Sequence, residues 1–471
     1  MNHLVIIGGG PGGYVAAFAA AKSGMQVTII EQEAIGGTCL NKGCIPTKTI
    51  KSSAEALQRG KRFAEFGITG CDELHIQMPD VIARKNKVRD VLVTGLEKSC
   101  KTLGIRHIQG RGELAEGNTV LAHTSEGIEE IVANHILIAT GSENLALPSL
   151  PIDHSHIITS DDALNLSHVP DHVLIVGGGV IGCEFAFILK EFGAKVTIVE
   201  GQDRLLPLPS VDEDISKLLL REAKKNKISV ELATTVRNAT VRPDGIVECE
   251  LGPSPFVESA KTKEKRIEAS LVLVSVGRTP MTKGLGLETA GVAVDKRGWI
   301  SVNERLQTTA PNIYAIGDVL GPSKVMLAHV ASAEGLCAVD NCLGKAREMR
   351  YEIIPSAIFT TPEIGTVGLS EAQATAAGYE IMVNTFQCRE LGKAQAMGEL
   401  PGLFKIIADA KTGKILGVHI AGAHATDLIA EATLALSQGS TAMDIAQTIH
   451  AHPTLAEGLW EAVLPLATQF S

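Results

Sequence analysis

Residues 4–31, LVIIGGGPGGYVAAFAAAKSGMQVTIIE, align without a gap to residues 173–200, VLIVGGGVIGCEFAFILKEFGAKVTIVE, so the chain carries two copies of one β-α-β unit. Each copy runs an apolar strand into a G-x-G-x-x-G turn, made by Gly8, Gly10 and Gly13 and again by Gly177, Gly179 and Gly182. A helix and a second strand follow, and each copy closes on an acid, Glu31 or Glu200, 18 positions past its third glycine. That is the whole fingerprint of a dinucleotide-binding unit. The first glycine permits the tight turn, the second lets backbone approach a pyrophosphate, and the third lets helix pack on strand. The helix N-terminus offers unpaired N–H groups and a positive dipole end to phosphates. The closing carboxylate is placed to accept hydrogen bonds from ribose hydroxyls. Two units call for two dinucleotides. A 2′-phosphate on the second would be repelled by Glu200, and Arg204, four residues on, reads as a surface ion pair; NAD is therefore expected rather than NADP.

At 471 residues the chain suggests two to four domains, and 45% hydrophobic residues with 47 glycines suit an α/β enzyme with many tight turns. The net charge of -10 argues against a nucleic-acid partner, and the short basic stretch at residues 261–266 reads as a solvated turn. A strand begins by Leu4 and no apolar run reaches 18 residues, so a soluble, cytoplasmic protein without membrane association is expected. Nine scattered cysteines without CxxC pairs argue against a secreted disulfide framework and against a structural metal site.

Cys39 and Cys44 lie five positions apart in GGTCLNKGCIPTK, directly after the first unit. In a regular helix residues five apart are roughly 8–9 Å from one another between Cα atoms, whereas a disulfide tolerates at most about 7 Å. A bridge here needs a distorted helix start, and Gly36, Gly37, Gly43 and Pro46 provide the freedom and the break for one. Cys337 and Cys342 share the spacing but lie in a run, residues 331–342, that reads as one continuous helix, so that pair is expected to stay reduced. Spacing alone leaves Cys39 and Cys44 open between a redox pair and two buried thiols packed as small apolar groups.

With the two fingerprints and the cysteine run, further motifs resemble the FAD-dependent pyridine nucleotide-disulfide oxidoreductases over essentially the whole chain. They are Ile138-Ala139-Thr140-Gly141-Ser142, Val276-Gly277-Arg278-Thr279-Pro280, residues 312–318 ending on Asp318, Met326-Leu327-Ala328-His329 and residues 450–457 with His452 and Glu457. The resemblance implies an α/β fold with two Rossmann-like domains and a C-terminal α+β dimerisation domain. Residues 1–147 would begin the FAD domain, 148–280 form the NAD domain, 281–352 complete the FAD domain and 353–471 form the dimer interface. In that last part a hairpin is expected from Leu403 to Ala408 and Ile415 to Ile420, with helices near residues 427–437 and 455–464.

The same resemblance assigns FAD to Gly8, Gly10, Gly13, Glu31, Thr140, Gly141, Ala328 and Asp318, and NAD to Gly177, Gly179, Gly182, Glu200 and Gly277. It implies a Cys39–Cys44 disulfide in which Cys39 exchanges with substrate and Cys44 contacts the flavin. His452, backed by Glu457 from the same chain, would move the substrate proton in the other subunit of a homodimer. Lys48 and Glu184 would meet where flavin and nicotinamide meet. The implied substrate is a dithiol carried as a lipoyl group on a separate protein of a 2-oxo acid dehydrogenase or glycine cleavage complex. A glutathione reductase would be expected to have arginines near Glu200, and a mercuric reductase to end in a further cysteine pair, whereas the last cysteine here is Cys388. A FAD-stabilised binding protein with incidental thiols is the alternative from another class. The stretch Gln387-Cys388-Arg389-Glu390 departs from the family pattern, and no reason for it is visible in the sequence.

Overall fold

The computed structural model describes residues 2–70, 73–258 and 263–470. Both duplicated units form the centres of five-stranded parallel sheets. In the first, strands His3–Ile7 and Gln26–Glu31 pair side by side, with Arg106–Gln109 beyond the second, His135–Ile138 against the first and Ile313–Ala315 at the far edge. In the other, His172–Val176 pairs with Lys195–Val199, flanked by Ser229–Glu231 on one side and by Leu271–Val274 and Ile157–Thr159 on the other. These strands read as continuous apolar runs because both faces are covered, in the second sheet by helices on one side and by the antiparallel strands from Thr234–Val241 to Lys265–Ala269 on the other. In each sheet the strand order reverses at the C-terminal end of the fingerprint strand, where α/β proteins bind ligands.

Ile313–Ala315 rejoins the first sheet after the second has been completed, so the chain returns to the unit it started with. The helix that follows, Ala328–Cys342, packs along Pro11–Lys22. It is continuous through Cys337 and Cys342, as its sequence leads one to expect, and both side chains are buried. Two three-stranded antiparallel sheets, Arg111–Ala115 to Gly127–Val132 and Thr234–Val241 to Lys265–Ala269, are inserted one into each half. The strand Lys265–Ala269 takes up Lys265 and Arg266 of the expected turn at residues 261–266, of which Lys261 and Thr262 lie outside the described residues.

The C-terminal part is a five-stranded antiparallel sheet. The expected hairpin is its centre, Leu403–Asp409 paired with Ile415–Gly422, and the expected helices are Ala425–Gln438 and Glu457–Ala467. Cys388 is buried, and its Sγ occupies the space that a Cβ on Gly402 or Gly422 would need. That packing is a physical reason for a small residue at Cys388.

Candidate active site

Gly8 has φ +106 and Gly177 φ +111, and a Cβ on either would strike a backbone carbonyl, Ala139 O or Ser275 O. The third glycines are equally constrained: a Cβ on Gly13 would meet Gly8 O, and one on Gly182 would meet Gly177 O. The second glycines differ, since Gly10 has only Gly37 Cα at 3.8 Å and Gly179 has nothing within 4 Å. Each is the N-cap of its helix, so the helix amides of Pro11–Lys22 and Val180–Phe192 begin at an open place. Both acids brace their own loop. Glu31 Oε2 accepts from Gly9 N at 2.7 Å and Oε1 from Glu33 N at 2.8 Å; Glu200 repeats this with Gly178 N at 2.5 Å and Gln202 N at 2.7 Å. A ribose would therefore share these oxygens with backbone rather than claim them alone.

Around the first loop, Thr140 Oγ1 is buried with no hydrogen-bond partner among the described residues, which suits a ligand that brings one. Gly141 beside it has φ +74 and open space about its Cα. Asp318 lies in the short helix Gly317–Leu320 at the end of Ile313–Ala315, and its Oδ2 accepts from Ser142 Oγ at 2.7 Å. Arg278 Nε donates to the same Ser142 oxygen at 2.6 Å. Ala328 opens the helix Ala328–Cys342, and Gly277, φ +134, accepts at its carbonyl from Leu145 N. Sequence reasoning passed over Glu334 in that helix. Its carboxylate, almost fully buried, accepts from Gly317 N and from Tyr351 Oη, both at 2.6 Å, and burial pushes it up to about 7. The one signal for it was an acid set among small apolar residues in 328–339.

Cys39 and Cys44 do not share one distorted helix. Cys39 is in a short helix, Gly37–Asn41, and Cys44 opens a second, Cys44–Lys61, with Lys42 and Gly43 between them. Gly36 and Gly37, at φ +111 and +57, turn the chain into the first helix, and Pro46 sits in the first turn of the second, where it needs no N–H partner. The result is close approach of two thiols. The two sulfurs are near enough for each to alter the other's acidity. The interaction between the sulfurs raises the Cys39 thiol well above its ordinary range and, with the charge of Lys48, lowers Cys44 to about 7. The pair is thereby polarised, with Cys44 the more acidic sulfur.

Lys48, one turn further along, reaches across to the second unit. Its Nζ lies 2.9 Å from Glu184 Oε2 and 3.0 Å from Oε1, and 4.4 Å from the centroid of Phe359. Phe359 N donates to Glu184 Oε1 at 2.9 Å, so three parts of the chain hold one buried carboxylate. His452 lies in the loop before Glu457–Ala467. Its Nδ1 is 2.8 Å from Glu457 Oε1, and Thr454 N donates to Oε2 at 2.7 Å. These contacts, Thr454 first, hold the Glu457 carboxyl below its usual range. The His452 side chain is 79% exposed and, among the described residues, makes no hydrogen bond to either cysteine of its own chain.

Arg204 corrects the expected surface ion pair: its guanidinium donates to Leu208 O at 2.7 Å and Val211 O at 3.1 Å, bracing the loop before the helix Glu213–Lys225. Those contacts occupy it inside the fold.

The family model described as pyridine nucleotide-disulphide oxidoreductase matches residues 2–335, and that of the family's dimerisation domain matches residues 354–463. The chain belongs to the pyridine nucleotide-disulphide oxidoreductases. Within this family it is similar to dihydrolipoyl dehydrogenase 1, mitochondrial, of Arabidopsis thaliana, at 40% identity over 98% of this chain and 90% of that one. It is similar as well to dihydrolipoyl dehydrogenase of Bacillus subtilis, at 39% identity over 98% and 97%. Among solved structures, LpdA from Mycobacterium tuberculosis superposes with a TM-score of 0.90 at 29% identity, covering 99% of this chain and 100% of that one. As a pyridine nucleotide-disulphide oxidoreductase the chain is a flavoprotein with FAD and NAD sites, and among its described residues no helix is long and apolar enough to cross a membrane.

Proposed function

We propose that this chain is a dihydrolipoyl dehydrogenase, oxidising a lipoyl dithiol on a carrier protein through Cys39 and Cys44 and passing the electrons to NAD. The observation that carries the reading is the thiol pair at the end of the first dinucleotide unit, polarised towards Cys44 and linked to the second unit by Lys48 and Glu184. Relatives of that name, similar over nearly all of the chain, support it.

The residues around the first loop fit FAD: the open Gly10 amide end, the partnerless Thr140 hydroxyl, Glu31, Gly8, Gly13, Gly141, Ala328 and Asp318 would hold it. Gly177, Gly179, Gly182, Glu200 and Gly277 would hold NAD. Bound FAD supplies a two-electron relay between the thiol pair and nicotinamide. In the oxidised protein, His452 Nε2 takes the proton of one substrate thiol while Glu457 holds Nδ1 and the ring's orientation. The thiolate attacks Cys39 Sγ, the Cys39–Cys44 bond breaks, and its electron pair stays on Cys44 beside the Lys48 charge. The second substrate sulfur then attacks the first, releasing Cys39. His452 gives its proton to Cys39 and takes that of the second thiol, so the substrate leaves as a disulfide and the protein is left reduced, with Cys39 as thiol, Cys44 as thiolate and the second proton on His452.

His452 would serve the cysteines of the partner subunit in a homodimer, a role its exposure and the dimerisation-domain match support. The proposed domain limits are 1–147, 148–280, 281–352 and 353–471, supported by the return of Ile313–Ala315 to the first sheet. The cytoplasm is proposed, since scattered cysteines without CxxC pairs argue against a secreted disulfide framework. The carrier would belong to a 2-oxo acid dehydrogenase or glycine cleavage complex.

The test is the rate of NADH formation from dihydrolipoamide by the purified protein, repeated with NADP. Robust turnover is expected with NAD and on the order of 10²-fold less with NADP, because Glu200 meets the 2′ position. Preference for glutathione disulfide and NADPH would contradict the reading.

A further inference from the structure

Phe256 is an exposed aromatic ring that the fold does not use. It is 67% exposed and, among the described residues, belongs to none of the hydrophobic clusters, yet a sequence of hydrogen bonds fixes where it stands. Ser254, just past the strand Val247–Pro253, is buried and donates its N–H to Ala233 O at 2.9 Å; Ala233 N in turn donates to Gln202 O at 2.8 Å. Ser254 Oγ then accepts from Phe256 N at 3.1 Å. The segment is thereby laid over the C-terminal end of Lys195–Val199, where the fingerprint acid stands.

There the ring lies on Gly201. A Cβ at that position would come within 3.0 Å of Phe256 Cδ2 and 3.3 Å of Cε2, tighter than ordinary packing, so the absence of a side chain lets the ring sit against the backbone. Gly201 directly follows Glu200, and the first unit has Gln32 at the corresponding place. An open aromatic face therefore stands beside the acid that meets the ribose, in the second unit. In a dinucleotide, adenine is joined to that ribose by a single bond, and its π-face suits an aromatic ring at any base identity.

We infer that Phe256 is a cofactor-binding residue of the second unit, the platform against which the adenine of the nicotinamide dinucleotide stacks. The inference rests on the reading of residues 173–200 as the NAD unit. Stacking there strengthens the adenosine half of the ligand and leaves the nicotinamide half to the Lys48–Glu184 side.

Calorimetric titration of the FAD-loaded protein with ADP-ribose and, separately, with nicotinamide mononucleotide tests it. Phe256→Ala is expected to weaken ADP-ribose on the order of tenfold, as removal of a base-stacking aromatic does, with nicotinamide mononucleotide unaffected. Phe256→Tyr keeps the flat ring and should restore wild-type ADP-ribose affinity. A wild-type flavin absorbance spectrum in both variants shows that the fold is intact. ADP-ribose binding to Phe256→Ala within about twofold of wild type would overturn the inference alone. Equal weakening of both ligands would also overturn it, as a general disturbance of the unit. Failure of the wild-type protein itself to bind ADP-ribose or NAD would sink the reading of the second unit along with it.

Discussion

Cys44 is held below the ordinary thiol range because its neighbour Cys39 and the charge of Lys48 both favour its ionised form. Neither effect is visible in the spacing of the cysteines. They depend on two short helices meeting at Lys42 and Gly43, a geometry that the glycines permit but do not dictate. A thiol lowered to about 7 is ionised above that pH and loses its charge as pH falls through it. Alkylation of the reduced protein by iodoacetamide, mapped to Cys44, should therefore rise with a midpoint near 7, and Lys48→Gln should move the midpoint upwards. A wild-type midpoint at the ordinary thiol value of about 8.5 would contradict this polarisation.

Between elements, Lys405 does for the assembly what Lys48 does for the site. It projects from the strand Leu403–Asp409, is 3% exposed, and meets Asp212 at 2.8 Å, Asp214 at 2.6 Å and Glu371 at 2.7 Å. Asp212 is also the N-cap of Glu213–Lys225, donated to by Asp214 N, and its other oxygen accepts from Glu371 N at 3.0 Å. One cluster thus ties the second dinucleotide unit to the C-terminal sheet. Lys405→Ala would leave Asp212 buried without its cation, a change that costs about 3–5 kcal/mol, and thermal unfolding should report a large fall in Tm. Burial would raise Asp212, but Lys405 and the amides of Glu371 and Asp214 hold it below its usual range. Its stabilisation is therefore present above the unfolded carboxylate value of about 3.9 and lost as pH falls below it. Lys405→Ala should show a weaker loss of stability on acidification than wild type, and an equal loss would refute the assignment.

Legibility follows the range of each interaction. The two sheets could be read from residues 4–31 and 173–200 because strand, glycine turn, helix and acid are local in the chain, and both acids do close on their own loops. Arg204 was misread, since its partners are carbonyls of a loop whose path no pattern announces. Glu334 and the Lys405 cluster escaped because their partners lie 17 to 193 residues away. Lys48 and Glu184 were paired through family resemblance alone, and the structure does bring them together.

At the scale of the whole molecule, the chain presents an oriented imidazole on an open surface. His452 is oriented by Glu457 but 79% exposed, Ile449 nearby is 97% exposed, and both lie within the stretch that matches the dimerisation domain. An exposed large apolar side chain beside an oriented imidazole is what a shared site leaves on each isolated half. Mixing chains tests this most directly. Homodimers of His452→Gln should lose roughly 10²–10⁴-fold in dihydrolipoamide turnover for want of the general base, and homodimers of Cys44→Ser lack the electron-accepting disulfide. In a purified heterodimer of the two, one site draws intact cysteines from the first chain and an intact histidine from the second. That heterodimer should recover about half the wild-type activity per dimer, the fraction set by one complete site of two. Heterodimers that are stable, hold FAD and remain as inactive as the two parents would show that each site is built within a single chain.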